Sequence, residues 1–507
     1  MPNQNAILYP RAVTTPRIDR PDDIATLRDL LDRAPFTGEA IRAALGTEED
    51  ILSRSRDIPV HVRRLRDRGA FGTLVQLFVL NLPVDASAAR EALAPLTLDA
   101  LVRMNVLQVE GDRVRPLVRL VPHDDLIIAS DLRLVAGQEA PHDHLPGVHR
   151  PSVTLAHLTV RRPVENGLDL GTGNGVEALL MRRHVEHVVG TDVNARAIEF
   201  ARFNGLFNRV PDIDWRVGSW FEPMRNERFD VIACNPPYVI SPATQYVYRD
   251  SGMEGDSVSE QVVREVAAHL SEGGFGTVTV SWVTDPADAD ALPVRRWVEG
   301  TGCDAWVLHY RTEDPLTTAK SWNEQDAVDP EAYGTVLDVW LAYYERLGIR
   351  AIAYGAVVLR RRAAPQNWVR VDPLPAGRLE PASDHIQRVF AAGDHLQGVA
   401  YDSALLSERF RVPASLRVAS VGGVSSAPGA LQLSLDEGVG FQAGIDENLV
   451  NVLRHLSAGT LREALGAAAT AGGIAGRDRE RFLNAGATLA RKLYAMGLIE
   501  RATDGAG

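Results

Sequence analysis

The apolar positions of this chain change their period several times. From Asp22 to about Arg68 they recur at helical spacing ("IATLRDLLDRA", "HVRRLRDRGA"). "DASAAREAL" opens on Asp85, a residue type that caps helix N-termini, and "TLDALVRMNVL" supplies a second short helix. "LQVEGDRVRPLVRLVP" and "DLIIASDL" then read as strands. Helix, turn, helix and β-ribbon predict a winged-helix-like α+β domain over residues 1–145, with a disordered lead-in to about residue 20.

From about 164 to 283 strands alternate with helices, the mark of an α/β domain with a mostly parallel sheet. "NGLDLGTGNG" is strand and Gly-rich turn, and "VEALLMRRH" is helix. "HVVGTDV", "IDWRVGSW", "FDVIACN" and "FGTVTVSWV" are strands, with helices at "ARAIEFARFNGLF" and "SVSEQVVREVAAHL". Two late strands, "CDAWVLHYRTE" and "AIAYGAVVLRRR", enclose a helical insert near 329–348. This domain is assigned residues 146–363, followed by a linker at "RRRAAPQNW". Residues 364–507, ending in "LARKLYAMGLIER", repeat the winged-helix-like pattern.

A length of 507 residues fits three such domains. A hydrophobic share of 45% and a charged share of 24% are those of a soluble globular protein. No apolar run reaches the roughly 18 residues of a membrane helix, and no basic and apolar leader opens the chain. The two cysteines, Cys234 and Cys303, have no metal-ligand spacing, so a reduced, cytoplasmic location and no metal are expected. His142, His144 and His149 fall in "PHDHLPGVH", which reads as a linker. A net charge of −12 disfavours a nonspecific polyanion binder, although Arg patches keep a nucleic-acid partner open.

Two stretches carry the chemistry. "LDLGTGNG" places Asp169, Gly171, Thr172, Gly173, Asn174 and Gly175 at a strand-to-helix turn, where glycines admit a ligand close to the backbone. A second strand ends in Asp192 and Val193, an acid placed to grip ribose hydroxyls. Asp169 suits a ligand bearing a cationic amino-acid group better than a pyrophosphate. The second stretch is Asn235, Pro236, Pro237 and Tyr238. Two prolines leave a stiff backbone whose carbonyls only accept, beside an amide and an aromatic face.

"LDLGTGNG", "GTDVNARAIEFARFN", "GSWFEP" and "FDVIACNPPY", in that order, resemble the class I S-adenosylmethionine-dependent methyltransferases. The resemblance is to the branch of HemK-type glutamine methyltransferases and small-domain RNA base methyltransferases, over roughly residues 147–285. It implies a Rossmann-like seven-stranded domain between the two winged-helix-like flanks, with S-adenosylmethionine as cofactor. Asp169 and the three glycines would surround the methionine part and Asp192 the ribose. Ser219 and Trp220 would lie near the adenine, although such enzymes often have Asp where Ser219 stands. Asn235 and the Pro236 carbonyl would each accept an N–H of a planar NH2, with Tyr238 stacked on it. Arg150 and Pro151 match a substrate-side segment of HemK-type enzymes, whose acidic residues are replaced here by Ser152 and Thr154.

The target is then a macromolecular NH2, on a protein glutamine or an RNA or DNA base. A cofactor-sensing regulator without catalysis and a nucleotide-dependent dehydrogenase are the alternatives. Neither has a use for the Asn-Pro-Pro-Tyr stretch. "YRDSGMEGD" (248–256) is either a loop that closes over the target or a solvated loop.

Overall fold

The computed structural model describes residues 15–502 apart from 48–56, 135–140, 244, 287–290, 325–328, 375–378 and 422–429. Most of the expected lead-in lies outside the described residues. The chain packs as two units. The first comprises Met1–Leu155, Pro163–Thr301 and Arg311–Arg361, and the second Ala156–Arg162, Gly302–Tyr310 and Arg362–Gly507.

In the first unit six strands form one sheet in the order Ala351–Arg361, Leu270–Thr284, Phe229–Cys234, Val164–Leu170, Val185–Asp192, Asp214–Val217. The last five run parallel, and Ala351–Arg361 is antiparallel to Leu270–Thr284. Phe229–Cys234 is central and covered on both faces, which is why Val231, Ile232, Ala233 and Cys234 read as an unbroken apolar run. The seventh expected strand, Cys303–Glu313, is divided between the units. The helical insert is present as Pro330–Arg346, preceded by a helix the periodicity did not reveal, Pro315–Asn323.

The N-terminal residues fold as helices Pro21–Arg33, Gly38–Leu45, Ile58–Leu65 and Gly69–Phe78, then strand Val84–Asp85 and helices Ala86–Leu93 and Leu98–Arg103. A hairpin, Leu107–Glu110 with Arg113–Pro116, follows, and Val84–Asp85 pairs with its second strand. The expected ribbon is therefore two, since Arg119–His123 and Leu126–Ser130 form a separate hairpin. Asp85 begins its helix but makes no side-chain cap; its carboxylate takes Arg113 at 2.8 Å.

These N-terminal elements share a core with the sheet's helix Ala195–Phe207. Ala197, Phe200, Phe203 and Phe207 recur every three to four residues and enter the N-terminal apolar cluster. The same helix carries two asparagines four residues apart. Asn204 Oδ1 accepts the Ala129 N–H at 2.8 Å and its Nδ2 donates to the Ala129 carbonyl at 3.0 Å. Asn208 repeats both bonds with Ile127, each at 2.9 Å. Four helical residues rise about 6 Å and two strand residues about 6.7 Å, so two side chains on one helix face can dress a strand edge. Asn204 also donates to the Asn174 carbonyl at 2.8 Å, which ties this contact to the Gly-rich turn.

In the second unit, residues Ala305–His309 pair in parallel with Val369–Pro373. Helix Ser383–Gln397 is followed by a three-stranded antiparallel meander, Leu416–Val421, Ala430–Leu435 and Gln442–Ile445. Helices Glu447–His455, Leu461–Ala471 and Gly476–Ala495 then close over a core that includes Leu453, Leu461, Leu465 and Leu493. The linker stretch is pinned inside this unit, because Asp304 accepts from Arg362, Asn367 and the Trp368 N–H. Among the described residues no helix is long and apolar enough to cross a membrane.

Asn204 is fully buried, so Asn204→Ala leaves three peptide groups unpaired at about 1–3 kcal/mol each. Chemical denaturation should show a loss of roughly 3 kcal/mol or more, and a smaller loss for the half-buried Asn208→Ala. Equal, sub-kilocalorie effects would mean that the apolar cluster alone joins these layers.

Candidate active site

The register of the sheet brings the motifs together. Leu170 stands beside Thr191 on one side and Cys234 on the other. The residues that follow each, Gly171, Asp192 and Asn235, therefore leave the sheet at the same carboxyl edge. Val164–Leu170 is where the chain reverses its direction of travel across the sheet, the place where open α/β sheets bind ligands. A cavity of about 440 Å³ opens there, a size that suits a small-molecule cofactor.

The Gly-rich turn forms its floor. Gly171, Gly173 and Gly175 have φ of 74°, 53° and 83°, a region that side-chain-bearing residues rarely adopt. A Cβ on Gly171 would meet no atom within 4 Å, whereas one on Gly175 would strike the Trp215 ring at 2.9 Å. Trp215 fills a pit that is also left by Gly190, and so props the turn from beneath. The Gly171 and Thr172 N–H groups donate to the Thr191 carbonyl at 2.9 and 2.8 Å.

Asp169 is buried and lines the cavity, but its Oδ2 already accepts from the Thr172 hydroxyl at 2.5 Å and the Ala178 N–H at 3.0 Å. Its first task is thus to lock the turn onto the helix Val176–Met181. Burial pushes its carboxyl up to about 7, against the pull of those two donors. Glu177, unremarked in the sequence, is a second buried carboxylate lining the cavity. It sits in the first helical turn after the glycines, a placement that could have flagged it. The two acids, Asp169 and Glu177, suit a cationic ligand group at this end.

Asp192 Oδ2 accepts the Gly173 N–H at 2.9 Å, and its Oδ1 accepts the Asn194 N–H at 2.8 Å. These bonds aim the carboxylate along the cavity while burial raises its pKa. Each oxygen keeps a further lone pair for a ligand hydroxyl. Val193 is 58% exposed and lines the cavity with Ser219 and Trp220. Trp220 has φ of 48°, a strained value for an aromatic residue, in the turn that begins at Gly218.

Across the cavity stand Asn235, Pro236 and Pro237. The Asn235 Oδ1 accepts from the Thr279 hydroxyl at 2.6 Å. The Pro236 carbonyl, expected to await a target N–H, already receives the Tyr238 N–H at 2.7 Å and offers only its second lone pair. Tyr238 does not line the cavity. Burial and the neighbouring Tyr354 push its phenol up to about 12. Cys234 also lines the cavity, and burial raises its thiol well above the ordinary value, which keeps it unreactive.

The roof comes from the stretch read as a linker. His142, His144 and His149 all line the cavity, as do Leu145 and Pro146. Arg196 pairs with Asp131, which also accepts the Leu145 N–H at 2.7 Å. Asn194 donates to the Asp143 carbonyl at 3.1 Å, and Asn174 to Pro146 at 3.2 Å. The histidines diverge: His142 bonds the Gln245 carbonyl, His149 the Ser152 hydroxyl, and His144 faces Asp131. Burial lowers the pKa of His144 and His149, so both are neutral near pH 7. No group of three or more His, Cys, Asp or Glu among the described residues is arranged to hold a metal.

The loop after the prolines is braced rather than solvated. Asp250 accepts from Ser241, Arg249 and the Gln245 and Tyr246 N–H groups. Tyr248, Asp250, Ser251 and Gly252 line the cavity. Arg150 and Pro151, the expected substrate contacts, do not. They begin the helix Arg150–Leu158, from which Ser152 and Leu155, three residues apart, face the cavity instead.

Two families match this chain: a domain of unknown function over residues 33–117, and the methyltransferase small domain over residues 151–280. A release factor glutamine methyltransferase of Aliivibrio fischeri is 40% identical over 90 residues, 17% of this chain and 31% of that protein. One from Xylella fastidiosa is 31% identical over 140 residues, 25% of this chain and 50% of that protein. A ribosomal protein uL3 glutamine methyltransferase of Bordetella pertussis is 28% identical over 330 residues, 58% of this chain and 98% of that protein. The chain thus spans half or less of the length of the first two relatives. Motif order, strand register and the family match fall on one stretch, and residues 151–280 are a methyltransferase small domain of the class I, S-adenosylmethionine-dependent, HemK-like kind.

Proposed function

We propose that this protein transfers a methyl group from S-adenosylmethionine to the side-chain amide nitrogen of a glutamine in a protein. The observation that carries the reading is the position of the Asn235 amide. It faces the same cavity as the glycine turn and Asp192, behind a proline pair that cannot donate. Relatives named for release factor and ribosomal protein glutamine methylation support glutamine over a nucleic-acid base.

The bound cofactor supplies an activated methyl on a sulfonium. Asp169 and Glu177 would face its cationic end, Asp192 its ribose hydroxyls, and Val193 with Trp220 its adenine plane. An amide nitrogen is a weak nucleophile because its lone pair is delocalised into the carbonyl. Asn235 and the second lone pair of Pro236 accept its two N–H groups and turn the nitrogen toward the methyl. Positioning of this kind is worth several kcal/mol.

The flanks are read as winged-helix-like recognition domains, with boundaries near residues 145 and 363. Helix, short strand, two helices and hairpin, with Val84–Asp85 paired to Arg113–Pro116, support this for the N-terminal one. Methyl-labelled cofactor, incubated with the protein and with release factors, ribosomes and DNA, should place label on glutamine after digestion and mass mapping. Label on a base amine would transfer the reading to nucleic acid.

Asn235→Ala should leave cofactor affinity nearly unchanged and lower kcat by orders of magnitude, because its bonds strengthen in the transition state. Asp192→Ala should instead weaken the cofactor by about 1–3 kcal/mol in calorimetry. Equal loss of cofactor binding in both would move Asn235 into the cofactor pocket. Asp169 adds a pH signature. A carboxyl at about 7 is neutral below that pH, and a cationic ligand group prefers it ionised. Cofactor affinity should therefore rise with pH, approaching about tenfold per unit below pH 7 and levelling off above. Asp169→Asn should abolish the slope; an unchanged slope would assign it to another group.

A further inference from the structure

We infer that Thr279 is a positioning residue for methyl transfer, whose hydroxyl orients the Asn235 carboxamide so that Oδ1 presents a lone pair to the target nitrogen. The inference rests on the reading of Asn235 as the clamp for that nitrogen.

The strand Leu270–Thr284 carries hydroxyls where a doubly covered strand ordinarily carries aliphatic side chains. Thr277, Thr279 and Ser281 alternate with Val278, Val280 and Trp282, and all six are at most 2% exposed. Valine fills the space of threonine, and a buried hydroxyl is unfavourable unless it is bonded. The hydroxyls at 279 and 281 have partners at the two ends of the same four residues. Val278 is in register with Cys234, so Thr279 stands beside Asn235 and donates to its Oδ1 at 2.6 Å. Ser281 donates to the Tyr238 carbonyl. One face of one strand thus holds both ends of the Asn-Pro-Pro-Tyr segment.

The bond at Asn235 matters because a carboxamide torsion is broad and two-fold. Turned over, Asn235 would aim its NH2 at a target that itself offers N–H groups, and the clamp would repel what it must hold. A separation of 2.6 Å suits O–H···O and is short for N–H···O, which selects the orientation with Oδ1 on the hydroxyl. One lone pair of Oδ1 is then engaged and the other is left for the target. The glycine turn and Asp192 are not touched by this bond, so it bears on the acceptor half of the site alone.

The test uses the full chain, labelled cofactor and a purified bacterial release factor as methyl acceptor. Thr279→Val keeps the shape and deletes the hydroxyl, and should lower kcat by about tenfold or more with cofactor Kd and acceptor KM within about twofold. Thr279→Ser should return to within about threefold of the native rate. In an Asn235→Ala background, Thr279→Val should have no further effect on kcat, because the two residues act as one unit. Thr279→Ala serves the same comparison if the valine variant does not fold. Native kcat in Thr279→Val with an inactive Asn235→Ala would overturn the inference and leave the clamp reading standing. A fully active Asn235→Ala would remove both. Parallel loss of kcat and cofactor affinity that serine does not restore would also overturn it, because Thr279 would then be packing.

Discussion

Asn204 pairs with three peptide groups at once, and the placement of the cofactor cradle depends on it. Its amide completes both hydrogen-bonding groups of Ala129 and takes the Asn174 carbonyl, between Gly173 and Gly175. An edge strand left bare would expose unpaired groups; here the helix Ala195–Phe207 closes that edge with side chains. The same helix sends an apolar stripe into the N-terminal cluster and begins at Asn194 and Arg196, which hold the cavity roof. Floor, roof and N-terminal layer are thus referred to one helix. Asn204 is buried at no cost in unpaired groups because both ends of its amide have partners.

The site itself follows from the sheet. Parallel strands in register end together, and the turn after each delivers one part: glycines, an acid, an amide. Burial then tunes them. Burial disfavours the ionised Asp169, and its carboxyl rises to about 7 against the pull of its Thr172 and Ala178 donors. A cation-bearing ligand would relieve that cost, so the cradle is electrostatically suited to such an occupant. The acceptor half is prepared differently, by hydroxyl bonds from the neighbouring strand rather than by charge.

Much of this was legible in the sequence because the chemistry is local. Three glycines at positive φ, an acid at the end of the next strand and Asn-Pro-Pro-Tyr after a third are each written in a few consecutive residues. The late strand Ala351–Arg361 and the helix Pro330–Arg346 were legible from period and order. What escaped depends on partners distant in the chain. Asn204 meets Ala129 across 75 residues and looks like any polar position on a helix. His142, His144 and His149 have no apolar period around them and read as linker, yet they roof the cavity. Arg150 and Pro151 match a substrate-side segment only in residue type, whereas the helix turns Ser152 and Leu155 toward the cavity. Thr279 was hidden because threonine is unremarkable in a strand until its neighbour is known.

A crystal structure of the full chain with S-adenosylhomocysteine tests the central claim most directly. Both ribose hydroxyls should lie within hydrogen-bonding distance of Asp192, the amino-acid end against the glycine turn, and the sulfur should face Asn235 with its Oδ1 still on Thr279. A ligand whose ribose lies away from Asp192, or whose sulfur is separated from Asn235 by the roof, would contradict the account.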